Sequence, residues 1–190
     1  VEIEADPEPV IREGCRILSV DCEWHGANHV DGQLRSIQIC WKPGAAAYIR
    51  FMDDQRNYAF DVPYAEAGAI MGRYLNRADV KYVGHHISAD FPWMHAVLGL
   101  DWYQKAWLDT EFAQQCVDEH GEFGLERMCM AYTTLGRWDL ELTAWCKKNG
   151  KLVEDGYGLV PDRILTPYAC LRRDSLVQLG DGTWEQIHKL

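Results

Sequence analysis

Residues 15–24 read CRILSVDCEW. Ile17, Leu18 and Val20 supply the apolar positions of a β-strand, and the run ends in Asp21-Cys22-Glu23. Side chains alternate along a strand, so Asp21 and Glu23 project from one face, ~7 Å apart along the pleat. Two carboxylates so placed repel each other unless something positive lies between them. A hard divalent cation, Mg²⁺ or Mn²⁺, is the natural filler because it takes oxygen ligands. Taken alone, Asp-x-Glu fits an ordinary polar strand edge equally well.

Working outward, residues 33–41 (QLRSIQICW) alternate apolar and polar, and residues 46–51 form a third short strand. Gly26, Gly32 and Pro43-Gly44 punctuate the three, which predicts an antiparallel meander. Residues 63–78 follow with Ala67, Ile70, Met71, Tyr74 and Leu75 at helical spacing and Pro63 near the first turn. Residues 80–84 (VKYVG) are a nearly continuous apolar strand, suited to a buried position. Ser88 can cap a helix that runs to Leu98 and closes at Gly99. Trp107-Leu108 lead into Asp109-Thr110 and a helix reaching about 118. Residues 124–132 and 139–148 read as further helices, 150–158 as a loop, and Pro161 opens a last helix that would carry Tyr168. The chain is therefore α/β, with a mixed sheet (a three-strand antiparallel meander plus parallel strands) and flanking helices.

Composition sets bounds on function. The 190 residues carry 19 basic and 29 acidic side chains, a net charge of −10. That argues against broad adhesion to a phosphate backbone through Lys and Arg. It leaves room for an enzyme that holds phosphate through cations gathered by carboxylates. No apolar run approaches the ~18 residues of a membrane span, and the acidic opening Val1-Glu2-Ile3-Glu4 is unlike a secretory signal. A cytoplasmic protein with no membrane partner is expected. The seven cysteines are odd in number and form no Cys-x-x-Cys pair, so reduced thiols packed mainly as small hydrophobes are expected for the first six.

Two further segments bear on chemistry. Gly84-His85-His86-Ile87-Ser88-Ala89-Asp90 is a strand end, a turn and an acid at a helix start. Each histidine can be a satisfied turn residue, and Asp90 can simply favour the helix dipole. Tyr168, late in the chain, can be a core aromatic. Taken with Leu18–Glu23, however, these segments resemble the three motifs of the DEDD 3′–5′ exonucleases, tyrosine subclass. The family has Asn where this chain has His86. Asp109-Thr110-Glu111-Phe112-Ala113 and Gly124-Leu125-Glu126-Arg127-Met128 resemble the proofreading domain of family A DNA polymerases. Asp118-Glu119-His120-Gly121 and residues 155–162 (DGYGLVPD) are similar to bacteriophage members. The resemblance spans residues 15–169.

The resemblance implies a ribonuclease H-like fold and two-metal hydrolysis at a single-stranded DNA 3′ end. It implies Asp21, Glu23 and Asp90 as catalytic metal ligands, Tyr168 as the group that orients the attacking water, and Trp24 and His86 as substrate-binding residues. Two Mg²⁺ or Mn²⁺ ions are implied for the complete enzyme. The family's third motif places an acid four residues after its Tyr, and here that position is Arg172. Arg cannot bind a metal. Asp174 is two residues further on, ~200° around a helix. At most one well-occupied ion is therefore expected in this chain.

The break coincides with a second resemblance. Residues 170–182 (CLRRDSLVQLGDG) are similar to the N-terminal block of inteins, and Asp181-Gly182 is a hairpin turn signal between 175–179 and 183–187. Residues 170–190 hold three basic and three acidic side chains, so residues 1–169 carry the whole −10. This divides the chain into an exonuclease-like domain, 1–169, and an intein fragment, 170–190. Cys170 would be the splicing nucleophile, attacking the carbonyl of Ala169 in an N–S acyl shift. The implied partner is a complementary fragment carrying the rest of the intein and the polymerase. The motifs alone leave open an RNA-trimming relative, and the missing fourth carboxylate leaves open an inactive DNA-binding or polymerase-docking module.

If the family spacing holds, splicing would join Ala169 to a downstream Cys, Ser or Thr whose third residue is Asp, restoring Tyr-Ala-x-x-Asp. Mixing the chain with its complementary fragment should yield a ligated product lacking residues 170–190, and Cys170→Ala should yield none. Ligation that persists in Cys170→Ala, followed by gel and mass spectrometry, would remove the intein reading.

Overall fold

Leu18, Val20 and Cys22 turn into the core along β1 (Ile17–His25), while Ile17, Ser19 and Asp21 face out. This strand is the middle of a five-stranded sheet in a computed structural model that describes residues 16–42, 45–134, 136–137, 139–150, 157–165, 176–178 and 184–186. β2 (Gln33–Lys42) runs antiparallel to β1, with Val20 opposite Ile39 and Cys22 opposite Ile37. β3 (Ala45–Arg50) pairs antiparallel beyond β2. On the other side β4 (Lys81–Gly84) pairs parallel with β1, and β5 (Ala106–Asp109) parallel with β4. The meander and the parallel β4 agree with the sequence reading. β5 does not appear in it, because Ala106, Trp107 and Leu108 are all exposed and four residues carry no burial pattern to read.

Two helices cover one face of the sheet. α1 (Tyr64–Leu75) contributes Ala67, Met71 and Leu75, and α2 (Phe91–Leu98) contributes Phe91, Trp93, Met94 and Leu98, to a core shared with Leu18, Val20, Ile37 and Ile39. After the short α3 (Trp102–Lys105) come α4 (Thr110–Val117), α5 (Leu125–Tyr132), α6 (Leu140–Asn149) and α7 (Asp162–Leu165). Leu142 and Cys146 of α6, Val160 and Ile164 form a second cluster with Tyr48 of β3. β2 is buried from Leu34 through Ile39.

The helix ends depart from the sequence reading in two places. α1 stops at Leu75, where the Asn76 N–H closes onto Gly72 O and an Arg77–Asp79 ion pair at 2.6 Å takes over the turn. α2 begins at Phe91 and not at Ser88, because residues 87–90 make a turn of their own. The N–H groups of Asp90 and Phe91 both donate to Ile87 O, at 3.2 and 3.1 Å. Gly99 closes α2 in the left-handed region at φ 66°.

β6 (Leu176–Gln178) and β7 (Trp184–Gln186) pair antiparallel as a separate two-stranded sheet, with Val177 opposite Glu185. They fall within the two strands expected around Asp181-Gly182. Tyr168, Cys170, Arg172 and Asp174 lie outside the described residues. Cys22, Cys129 and Cys146 are buried, Cys40 is half-buried and Cys116 is exposed, and none of these five is in a disulfide. Among the described residues no helix is long and apolar enough to cross a membrane.

α1 and α2 touch backbone to backbone. A Cβ on Gly72 would lie 2.1 Å from Leu98 O, and one on Gly68 2.2 Å from Val97 O. Carbonyl oxygens of a buried helix end cannot swing aside as a side-chain tip can. Gly72→Ala should therefore cost about 2 kcal/mol through overpacking, despite the better helix propensity of Ala. Denaturant unfolding checks this; an unchanged or raised midpoint would show that the helices separate freely.

Candidate active site

β4 pairs with β1 only from Ile17 to Ser19 and then leaves it. Further along β1 the Cys22 N–H is taken by Asp90, whose Oδ1 accepts it at 2.9 Å. The Cys22 thiol also donates to Asp90 O at 3.7 Å. Asp90 occupies the N-cap position of α2 but makes no side-chain capping bond. Its carboxylate crosses to β1 instead of serving its own helix. This is how the strand carrying Asp21 and Glu23 is joined to the turn carrying Asp90.

The three acids then feel one another. Asp90, 4% exposed, is held well above the usual carboxylate range by burial and next by the charge of Asp21. Glu23, 8% exposed, is raised by burial, then by Asp21 and Asp90, with the Arg35 guanidinium acting the other way. Asp21 is pushed up to about 6 by burial, opposed by hydrogen bonds from the Cys22 backbone and with Asp90. Its own surface nevertheless meets water. Protein crowds it on its flanks without sealing it, and the solvent contact moderates the effect. Asp21 and Glu23 thus stand two apart on one strand, as expected, but in different surroundings. The outward–inward alternation fails at Glu23, where the β1–β2 register shifts.

The charges of Asp21 and Asp90 act on each other, and Glu23 lies within their field. Among the described residues, no group of three or more His, Cys, Asp or Glu side chains converges to hold a metal by itself. The donor set still suits a hard cation. Mg²⁺ is commonly held by one or two carboxylates, with waters and substrate phosphate completing its shell. Acids that retain protons for want of a counter-charge are what such an ion would relieve.

Trp24 follows Glu23 and stacks on Trp93 of α2, with ring centroids 5.0 Å apart and planes 15° from parallel. His86 is exposed and adopts φ 54°. Its Nδ1 lies 2.6 Å from Glu111 Oε2. Burial lowers the pKa of His85 from its ordinary value. Its Nδ1 meets the Thr110 hydroxyl at 3.0 Å, and that hydroxyl donates to Gly84 O at 3.2 Å.

Two contributors escaped the sequence reading. Asp109 accepts from the N–H groups of His86, Ile87 and Glu111 at 2.9–3.0 Å, so one carboxylate caps α4 and fixes the turn before Asp90. An acid directly before Thr-Glu at a helix start is the signal that could have found it. Tyr157, in the segment read as a loop, bridges Trp24. Its phenol is pushed up to about 12 by burial and then by Glu23. The similarity of residues 155–162 to phage members takes in Tyr157 but gives it no role.

The shift of Asp21 has a definite sign. The folded state keeps the proton up to about 6, while an unperturbed Asp releases it near 3.8. Between those values the unfolded chain binds fewer protons, so this group's contribution to stability falls as pH rises. In metal-free melts, Asp21→Asn should therefore gain on the parent chain as pH is raised across that window. Mn²⁺ should stabilise the parent above the window and the variant little. Parallel melting curves with and without the ion would contradict both the shift and the site.

Comparison with known proteins places this geometry. A DNA polymerase of Escherichia phage T5 is 28% identical over 117 residues, which is 58% of this chain and 13% of that polymerase. The chain thus spans a small part of that relative. A nuclease solved in its apo form superposes with a TM-score of 0.50 at 16% identity, over 67% of this chain and 56% of the other. The sheet and its flanking helices are accordingly ribonuclease H-like. The Aedes aegypti Nibbler exonuclease domain covers 86% of each chain, at 12% identity and a TM-score of 0.49. The family model described as 3′–5′ exonuclease, of the DNA polymerase A type, matches residues 1–177. With nearly the whole length matched, the chain belongs to the 3′–5′ exonuclease family of A-type DNA polymerases.

Proposed function

We propose that residues 1–169 are the proofreading domain of a DNA polymerase, which hydrolyses the last phosphodiester of a single-stranded DNA 3′ end. The observation that carries this is the Asp90 carboxylate bonded to the Cys22 N–H, which sets Asp90 beside Asp21 and within the field of Glu23. The carboxylates Asp21, Glu23 and Asp90 are the group that would hold divalent ions. When bound, Mg²⁺ or Mn²⁺ supplies charge neutralisation for the scissile phosphate and lowers the pKa of bound water. Water adds to phosphorus, the P–O3′ bond breaks, and the proton ends on the departing 3′ oxygen. Trp24 offers a ring beside the carboxylates for the terminal base, and His86 stands at the strand-end turn to meet sugar or phosphate. Tyr168 would orient the water through its hydroxyl. The phage polymerase relative supports DNA as substrate and the cytoplasm of a bacterial or infected cell as the location.

The third motif is completed only by splicing in this reading, with Cys170 as nucleophile and a polymerase fragment as partner. With Arg172 where the family has an acid, the chain alone binds at most one ion well. It should cleave single-stranded DNA slowly, and Asp21→Ala should abolish what remains. The ligated product with Tyr-Ala-x-x-Asp should gain about 100-fold or more. Labelled DNA and RNA oligonucleotides of one sequence provide the assay. Equal rates before and after ligation would defeat the interruption, and faster loss of the RNA would defeat the choice of DNA.

A further inference from the structure

One oxygen aligns two residues from different elements. Oδ1 of Asp109, at the end of β5, accepts the N–H of His86 at 3.0 Å and the N–H of Glu111 at 2.9 Å. The turn that leads from β4 to Asp90 and the first turn of α4 are thereby clipped to the same carboxylate, and their side chains meet. A carboxylate only accepts, so His86 Nδ1 is the donor to Glu111 Oε2, at 2.6 Å. The Glu111 side chain is 24% exposed and the His86 ring 59%, so the acid is the sheltered member and the ring the outward one.

That bond decides what the ring can offer a ligand. With Nδ1 committed to Glu111, Nε2 is the nitrogen left over. A neutral ring would then present Nε2 as an acceptor, and a phosphodiester, itself only an acceptor, has nothing to give it. A protonated ring donates from both nitrogens, one to each anion. A phosphate brought to Nε2 therefore draws a proton onto the ring, because anions on both sides favour its charged form. The Asn of the resembling family donates from its amide with no proton taken up.

The other titratable groups around the ring have partners of their own. Asp109 fills one oxygen with the two N–H groups above and the other with the Ile87 N–H at 2.9 Å. His85, beside His86 in the turn, is pushed down by burial and meets the Thr110 hydroxyl. Asp90, at the head of α2, is turned to the Cys22 N–H. Glu111 is the acid that reaches the ring.

We propose that Glu111 is a positioning residue that holds the His86 ring by Nδ1 and sets Nε2 to donate to a backbone phosphate of the bound DNA strand, so that His86 binds the strand as an imidazolium. The proposal rests on the nuclease reading above and adds to it a proton taken up together with the substrate.

Fluorescence anisotropy with a 5′-labelled single-stranded DNA, with Ca²⁺ as the divalent ion, tests it by binding alone. The ratio of parent to His86→Asn affinity cancels the titration of groups common to both chains. It should favour the parent about 10-fold at about pH 6 and fall to about 1 at about pH 8, because the complex of the parent carries the extra proton. Glu111→Ala takes a negative charge away from a polyanion, so a carboxylate without this role would give tighter binding when lost. Here Glu111→Ala should weaken binding about 5-fold at about pH 6, and should weaken nothing in the His86→Asn background. Neutral methylphosphonate linkages nearest the 3′ end should abolish the advantage of His over Asn. Circular dichroism melts check that each variant folds; should Glu111→Ala fail to fold, the parent to His86→Asn ratio against pH decides alone. A ratio that stays flat with pH overturns the proposal and leaves the nuclease reading intact. So do tighter binding in Glu111→Ala, an equal loss in both backgrounds, and an advantage that survives the neutral linkages. Absence of DNA binding by the parent overturns both.

Discussion

The rest of the site depends on one hydrogen bond, from the Cys22 N–H to Asp90. A strand that loses its neighbour halfway exposes main-chain donors that must be satisfied elsewhere. β4 leaves β1 early, and Asp90 stands in for the missing strand. Leaving that buried N–H without a partner would cost about 1–3 kcal/mol. The acid that completes the sheet edge is thereby the acid brought to Asp21. Fold and chemistry draw on the same atoms.

The turn that delivers Asp90 is fixed from outside itself. Asp109, at the end of β5, gathers three N–H groups, two of them from His86 and Ile87. Thr110 links His85 to Gly84 O. The exposed edge strand that looks least important to packing therefore supports the inner element. Trp24 and Trp93 complete the framework, since each stands close in sequence to one of the carboxylates and they stack on each other.

The carboxylates and the mixed sheet were legible because they depend on short-range pattern. Leu18, Val20 and Cys22 alternate with polar partners, and Asp90 follows a Gly-His-His turn. β5 was illegible because its exposed Trp107 and Leu108 read like any loop before a helix. The start of α2 was misplaced because Ser88 has the chemistry of a cap, while the Ile87 carbonyl had already claimed the N–H groups of Asp90 and Phe91. The partnership of Arg35 with Tyr157 could not be seen at all. A bulge is a property of two strands together, and the contact between these residues spans 122 positions.

His86 holds a backbone conformation that most side chains resist. At φ 54° the Cβ of an L-residue crowds the following carbonyl, and only Gly, Asn, Asp and His sit there at modest cost. The position thus acts as a filter on what mutation can try. Asn and His are both among the few residues that this backbone admits. A β-branched residue would be rejected by the turn before its effect on any substrate could matter.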